Sequence, residues 1–212
     1  MERSKPISSR HLSIDRSFDI PVSVSPFMTF ALALAAPTAP QPPDATALAE
    51  IRAEYDGLSR AFAEADATRV IEIRTSDFTT VTPDGQLHDA AYMAELARRF
   101  FTTNRPPYSV RYTIRCSRFP ARDRATLVIF QQVSRTQEVA GAMRRVDSDI
   151  TQREHWRRTP LGWRLEKIDA IHDPHRWIDG VQIDPSVPYH PGVAPFSPTL
   201  MASRPCEELL SD

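Results

Sequence analysis

The spacing of apolar residues changes near residue 108, and this change limits the possible folds more than any other feature of the chain. Before it, apolar residues recur every three or four positions, the period of a helix with one buried face. After it, apolar and polar residues alternate, the period of a strand with one buried face. Helices followed by a run of strands predict an α+β domain, with helices packed on one face of an antiparallel sheet.

Three helices are predicted before the change. The first begins at Asp44, a suitable N-cap, and the second is short and follows Asp66. The apolar stripe of the first helix is Leu48, Ile51, Tyr55, Leu58 and Phe62. The third helix follows Asp89, and its predicted buried stripe is Tyr92, Met93, Leu96, Ala97 and Phe100. Between the second and third helices, a strand at 78–81 leads to a Pro83-Asp84-Gly85 turn.

Four strands with short connections are predicted after the change, at 109–119, 124–138, 144–157 and 162–172. Short connections join antiparallel neighbours, because parallel pairs need long crossovers. Residues 124–133 are apolar on both faces and therefore need cover on both. The helices supply one cover, and a second copy of the chain is the expected partner for the other.

The strand periods also predict which side chains face the helices. Gln152, Glu154 and Trp156 share one face of their strand and are predicted to point inward, as is Cys116 on the first strand of the four. Asp169 has the parity of the inward residues of the last strand, although a bulge there would reverse its direction.

The chain divides into three segments. Residues 1–43 combine a basic leader, a short apolar run and a proline-rich linker, which predicts an export signal and a periplasmic or extracellular protein; a cytoplasmic protein with an N-terminal extension is the alternative. The apolar run is too short to span a membrane. Residues 44–180 form the predicted domain. Residues 181–212 contain six prolines and are expected to be an extended or disordered tail.

Charge and cysteine content narrow the classes of partner. The net charge is −1, so no overall field favours nucleic acid. Cys116 and Cys206 are the only cysteines, and no zinc motif is present. They can pair if the tail folds back in an oxidising compartment, but two separate thiols are the favoured interpretation. No cofactor and no metal site are predicted.

Three groups of residues carry a resemblance to a known superfamily: Ala53–Asp56 with Ala63–Asp66, Asp77-Phe78 before the Pro83–Gly85 turn, and the hairpin from Trp156 to Trp163. Their order and spacing over roughly 45–175 resemble the nuclear transport factor two-like superfamily, in its SnoaL-like and ketosteroid-isomerase-like branch. The resemblance implies a cone-shaped, cystatin-like fold of three N-terminal helices on a curved antiparallel sheet. It also implies a small pocket, but the superfamily contains both enzymes and non-catalytic domains.

One position departs from the steroid-isomerase pattern. That family places an Asp general base before a Pro-x-Gly turn, where this chain has Thr82. A threonine hydroxyl is too weakly basic to remove a proton from carbon, which argues against steroid-isomerase chemistry. By the resemblance, the first-helix tyrosine that serves that family as an oxyanion donor is Tyr55, but Tyr55 also fits the buried stripe of the helix as an ordinary core residue.

The candidate site residues follow from the predicted faces and from the resemblance. Glu154 and Asp169 are the candidates for general acid or base, since a desolvated carboxylate has a raised pKa. The candidate ligand-binding residues are Tyr55, Tyr112, Gln152, Trp156 and His172. The favoured hypothesis is a protein that binds a small apolar organic molecule. The alternatives are an isomerase, cyclase or dehydratase that uses an inward carboxylate, and a non-catalytic dimerisation module with a homodimer formed through the sheet.

Overall fold

The computed structural model describes residues 43–82, 85–184, 187–192, 195–196 and 204–211. The predicted export signal lies outside these residues and stays a prediction. Among the helices that the structure describes, none has the length and apolar character needed to cross a bilayer.

The three predicted N-terminal helices are present. They are α1 (Pro43–Ala63), α2 (Ala67–Glu72) and α3 (Ala90–Thr103). Asp66 and Asp89 cap α2 and α3 as predicted, because their carboxylates accept from the backbone N–H groups of Arg69 and Tyr92 at 3.0 and 2.8 Å. In α3, two residues of the predicted stripe are exposed: Tyr92 and Leu96 retain 48% and 42% of their accessible surface. Tyr92 instead stacks on His88.

The sheet has seven strands. They are β1 (Arg74–Val81), β2 (Leu87–Asp89), β3 (Asn104–Ala121), β4 (Arg124–Val139), β5 (Ala142–Thr159), β6 (Gly162–Ile178) and β7 (Val181–Ile183). Their order is β2-β1-β6-β5-β4-β3, with β7 paired to β6. The predicted antiparallel pairing of β3 through β6 is confirmed.

The prediction of a purely antiparallel sheet is wrong at one pair, because β1 runs parallel to β6. Parallel neighbours need a long connection, and the chain between these two strands contains α3 and four further strands. The result is the curved mixed sheet of an α+β cone.

The helices cover one face of this sheet, as the change of period predicts. Ile51 of α1 packs in one core cluster with Leu127 and Ile129 of β4 and with Trp156 of β5, and each of the four is at most 1% exposed. Burial of a large apolar side chain contributes about 1.5–3 kcal/mol. We call this helix-covered side the inner face, and the opposite side of the sheet the outer face.

Two bulges move predicted inward residues to the outer face. The β3–β4 register shifts between Ile114 and Cys116, so the predicted inward direction of Cys116 is wrong and its side chain packs with Val128. In β6 the register shifts at Glu166, since Trp156 pairs with Leu165 while His155 pairs with Lys167, and this turns Asp169 to the outer face. Asp169 is itself a further extra residue, since Glu154 pairs with Ile168 while Arg153 pairs with Ala170. Each extra residue reverses the alternation beyond it.

The C-terminal segment contains regular structure, contrary to the expectation of an extended or disordered tail. Besides β7, it forms a short helix, α4 (Cys206–Ser211), whose Leu209 is buried against Cys116 and Val128. Cys206 and Cys116 form a disulfide, so the favoured interpretation of two separate thiols is wrong. The bulge turns Cys116 toward the side on which the tail lies, which brings the two cysteines together.

The tail also bears on the predicted homodimer. Val128 is one of the outer-face apolar residues that motivated a second subunit, and Leu209 of the same chain covers it. Arg115 lies over the ring of another such residue, Phe130, at 4.7 Å. The dimer stays a prediction, with less apolar surface left to support it.

Replacing Cys206 by Ser should lower the free energy of unfolding by about 2–4 kcal/mol, because the disulfide closes a long loop and restricts the unfolded chain. Urea unfolding with and without a reductant measures the change. Wild-type protein should lose the same stability when reduced, whereas Cys206→Ser should not respond to the reductant. Equal stability of the oxidised wild type and the variant would contradict the bond.

Candidate functional site

Glu154 lies in the middle of β5 and points into the core beneath the helices. It is 1% exposed, and the adjacent inner-face residues Gln152 and Trp156 are buried as well. The inward direction predicted for these three side chains is confirmed. Glu154 is therefore a carboxyl group removed from water, which is costly unless hydrogen bonds replace the lost solvent.

Three neutral donors surround the Glu154 carboxylate. The Tyr55 hydroxyl of α1 donates to Oε2 at 2.5 Å, and the Trp156 indole Nε1–H donates to the same oxygen at 2.8 Å. Gln152 Nε2 donates to Oε1 at 2.5 Å. We call these four residues the Glu154 cluster. Among the described residues no cation forms an ion pair with Glu154, although the charge of Arg74 acts on the carboxyl from farther away.

Aromatic rings form the wall beside the cluster. The Tyr55 ring stacks on Tyr112 of β3 with centroids 4.8 Å apart and meets Trp156 edge-on at 5.2 Å. Gln131 of β4 donates to the Tyr112 hydroxyl at 3.3 Å. Sequence reasoning named Tyr55, Tyr112, Gln152 and Trp156 together, and the structure brings all four to one place.

Burial controls the acidity of these groups. Desolvation raises the pKa of Glu154 above its ordinary value, and the hydrogen bonds from Tyr55, Gln152 and Trp156, together with the Arg74 charge, offset only part of that effect. Burial also raises the pKa of Tyr55 and of Tyr112, and the nearby Glu154 charge adds to both shifts. The tyrosines therefore remain protonated donors, while Glu154 can take up a proton more readily than an exposed glutamate.

Arg74, at the start of β1, is a member of the site that sequence reasoning missed. Its Nη1 donates to the Val70 carbonyl at 3.2 Å and its guanidinium lies 5.3 Å from the centre of the Phe78 ring. Burial lowers the pKa of Arg74, and the charges of Tyr112 and Glu154 act in the opposite direction. Its Nε–H is buried without an acceptor. The predicted strand began only at Phe78, so Arg74 had no assigned face.

A cleft reaches Arg74 from the surface. Its volume is about 490 Å³. Apolar side chains from three parts of the fold contribute to its lining, namely Ile71 of α2, Ala90 of α3 and Leu161 of the β5–β6 hairpin. The lining also contains polar and charged side chains, namely Glu72, Arg74, Thr75, Ser76 and Arg164. The cleft is therefore of mixed polarity, with the half-buried Arg74 as the donor nearest the Glu154 cluster.

Asp169 is not part of this site. Because of the bulge it lies on the outer face, where it accepts from Arg153 Nε at 2.7 Å and lies 2.8 Å from His155 Nε2. Burial acts to raise the pKa of Asp169, but the hydrogen bonds and charges of Arg153 and His155 outweigh it and hold the pKa below its ordinary value. An ionised, ion-paired carboxylate on the wrong face is a poor general acid for the cone.

His172 is also outside the predicted pocket. It pairs in register with Thr151 on β5, one residue away from the inner-face pair of Gln152 and Ile171, and its ring contacts Arg204 of the tail. The predicted role of His172 in ligand binding therefore has no support from its position. Within the part of the chain that the structure describes, no group of three or more His, Cys, Asp or Glu side chains is arranged to hold a metal ion.

Comparison with known proteins gives matches in structure but not in sequence. No protein-family model and no curated protein sequence matches the chain. A scytalone dehydratase homologue from Novosphingobium aromaticivorans has a TM-score of 0.53 at 10% identity, covering 76% of this chain and 98% of that one. The hexachlorocyclohexane dehydrochlorinase LinA, type 2, has a TM-score of 0.52 at 11% identity, covering 71% and 98%. A conserved protein from Planctomyces limnophilus has a TM-score of 0.51 at 15% identity, covering 61% and 98%.

These matches and the sheet order decide the fold. The chain has the nuclear transport factor two-like fold. Within this fold, the Glu154 cluster lies on the sheet face that the helices cover, and nearly the whole length of each neighbour is matched. At these identities the likeness establishes the fold alone, so the chemistry of the site depends on this chain's own residues.

The departure at Thr82 from the steroid-isomerase pattern has a structural counterpart. The Thr82 hydroxyl donates to the Gln86 carbonyl at 3.1 Å, and Gly85 takes the predicted positive φ of 82°. Pro83 and Asp84 of the predicted turn lie outside the described residues. Thr82 thus stabilises the local turn, and Glu154 is the inward carboxylate instead.

Glu154→Gln should change how the free energy of unfolding depends on pH. A carboxyl with a raised pKa binds more protons in the folded chain than in the unfolded chain, so folding is favoured as pH falls. Its contribution is fully present below the ordinary value of 4.5 and is lost as pH rises through the raised pKa. Relative to the variant, wild-type protein should lose stability across that window. Urea unfolding at several pH values measures the difference.

The exposed Glu138→Gln is the matched control for this measurement and should show no such window. A stability difference between wild type and Glu154→Gln that is the same at every pH would contradict the raised pKa.

Proposed function

We propose that this domain binds a small, largely apolar organic molecule inside the cone, with the Glu154 cluster as the polar floor of the site. The observation that carries the proposal is a buried carboxyl group held by three neutral donors, with no ion pair to it among the described residues. A well-packed apolar side chain would stabilise the same place at no desolvation cost. A retained carboxyl of this kind is typical of a functional site.

The donors around the cluster indicate which group of a ligand they would meet. Arg74 has a buried Nε–H without an acceptor. Tyr112 accepts from Gln131, which leaves its own hydroxyl proton for another acceptor. A ligand with a carbonyl or hydroxyl oxygen on an apolar body would satisfy these donors, while Phe78 and the stacked tyrosines would contact the body.

Native mass spectrometry of protein purified from its own host tests the proposal. Wild-type protein should retain a small molecule as a discrete added mass. Glu154→Gln and Arg74→Gln should lose it, because each removes a polar contact in the cone. Tyr55→Phe should weaken retention while keeping the stacked ring. Urea unfolding of each variant separates a loss of binding from a loss of stability.

Asp169→Asn is the matched control, since it neutralises a carboxylate on the outer face of the same sheet. It should retain the molecule even if it is less stable. Wild-type protein that carries no added mass, or equal loss in Asp169→Asn and Glu154→Gln, would contradict binding in the cone.

A second candidate function is acid–base catalysis by Glu154 on the bound molecule. The short contact between the Tyr55 hydroxyl and Glu154 favours it, because a carboxyl of raised pKa can move a proton while a tyrosine stabilises the developing oxyanion. The dehydratase and dehydrochlorinase names belong to the structural neighbours. For this chain they are compatible with an isomerase, cyclase or dehydratase and specify none of them.

Hydrogen exchange in the bound molecule distinguishes catalysis from binding. In heavy water, wild-type protein should exchange a carbon-bound hydrogen of the molecule for deuterium. The exchange is measured as an increase in the mass of the molecule after its release from the protein. Glu154→Gln should show no exchange even when enough of the molecule is added to restore its binding, whereas Asp169→Asn should leave the exchange unchanged. A bound molecule whose carbon-bound hydrogens never exchange would restrict the domain to binding.

We also propose that the protein acts outside the reducing cytosol. The Cys116–Cys206 disulfide supports this localisation, because such bonds persist in oxidising compartments. The composition of residues 1–43 points the same way. Membership of the SnoaL-like branch remains part of the proposal, supported by the order of the motifs along the chain.

A further inference from the structure

Two arginines lie side by side on the inner face of the sheet, beyond the Glu154 cluster. Arg135 is on β4 and Arg176 is on β6, with Ser148 of β5 between them. Ser148 and Arg176 pair directly in register, so their side chains share a face. Ser148 precedes Gln152 by four residues, which corresponds to about 13 Å along the strand. The arginines therefore form a separate group from the Glu154 cluster.

The contacts of Arg135 fix where its guanidinium lies. Its Nη1 donates to the Ser148 hydroxyl at 3.1 Å, and its Cζ is 5.9 Å from the centre of the Phe100 ring of α3. Phe100 in turn packs against Tyr108, with centroids 5.7 Å apart. The charged group is thus bounded by an apolar aromatic surface on the helix side and by a hydroxyl on the sheet side.

Neither arginine has an acidic partner in the described part of the chain. Other arginines of the sheet do: Arg153 pairs with Asp169 and Arg164 with Glu54. The Nε–H of Arg176 is moreover buried without an acceptor. Within the described residues the pair shares this lack of an acidic partner with Arg74, but only Arg135 and Arg176 lie next to each other.

The electrostatics of the pair are unfavourable in the absence of a partner. Burial lowers the pKa of Arg135, and the neighbouring Arg176 charge lowers it further. Asp147 offsets part of this, but it is on the opposite face and is itself paired with Arg145 at 2.9 Å. Like charges that are partly removed from water repel each other, and an anion placed between them would reverse the effect.

We propose that Arg135, Arg176 and Ser148 bind the carboxylate of a small organic acid whose apolar body packs against Phe100. Guanidinium groups bind carboxylates through paired hydrogen bonds, and the unused Arg176 Nε–H is one such donor. Both arginines are only partly buried, so a ligand can reach them. The site does not depend on the proposed function of the Glu154 cluster.

Calorimetric titration of the full chain with benzoate tests this site, with benzamide as its neutral counterpart and inorganic phosphate as a second oxyanion. Wild-type protein should bind benzoate more tightly than either. Arg135→Gln and Arg176→Gln should each weaken benzoate binding by about ten-fold or more, because each removes a charged hydrogen-bond donor. Arg122→Gln, at an exposed arginine in the β3–β4 turn, should leave it unchanged.

Thermal unfolding of the free variants supplies a second readout. Removal of one of two repelling charges should leave the Tm of the free protein unchanged or raise it, whereas loss of a structural contact would lower it. Equal binding of benzoate and benzamide by wild-type protein, preference for phosphate, or unchanged benzoate affinity in both variants would overturn the proposal. The Glu154→Gln protein should still bind benzoate, so this site and the cone site fail or succeed separately.

Discussion

The hydrogen bonds to the Glu154 carboxyl join the two layers of the fold. Tyr55 belongs to the longest helix, while Gln152, Glu154 and Trp156 are alternate residues of one strand. A carboxyl group in this position is stable only if all its partners are in place, because any missing donor leaves a buried oxygen unsatisfied. The cluster therefore specifies how α1 lies on the sheet, and the aromatic wall formed by Tyr55 and Tyr112 depends on that placement.

Alternation of apolar and polar residues was enough to predict the strands and the floor of the site. The four long strands lie where the period of two begins, and Glu154 points inward because no irregularity of β5 separates it from Trp156. The same argument failed at Cys116 and Asp169. Cys116 follows an extra residue in β3, and Asp169 is itself an extra residue in β6. An extra residue changes the face on which its neighbours lie, without any change in the local composition. The sequence does indicate a bulge at Asp169, because the apolar residues Ile168 and Ala170 flank it.

The remaining misses concern contacts between distant parts of the chain. Arg74 belongs to the site because β1 pairs in parallel with β6, a pairing that local periodicity does not encode. The disulfide could be predicted only with knowledge that the C-terminal segment returns to the outer face of the sheet. The helix α4 is too short to show a clear helical period in the sequence. The exposed positions of Tyr92 and Leu96 show a further limit of prediction from the sequence. An apolar stripe predicts which residues share a face of a helix, but not how much of that face the rest of the protein covers.

The bond between Cys116 and Cys206 makes the second half of the domain a covalent ring. Strands β4 to β7 and the segment that leads to α4 all lie between the two sulfur atoms. A protease that cuts once within this ring would produce a nicked protein whose pieces stay attached. Such a molecule would keep its full mass on a denaturing gel until a reductant broke the bond.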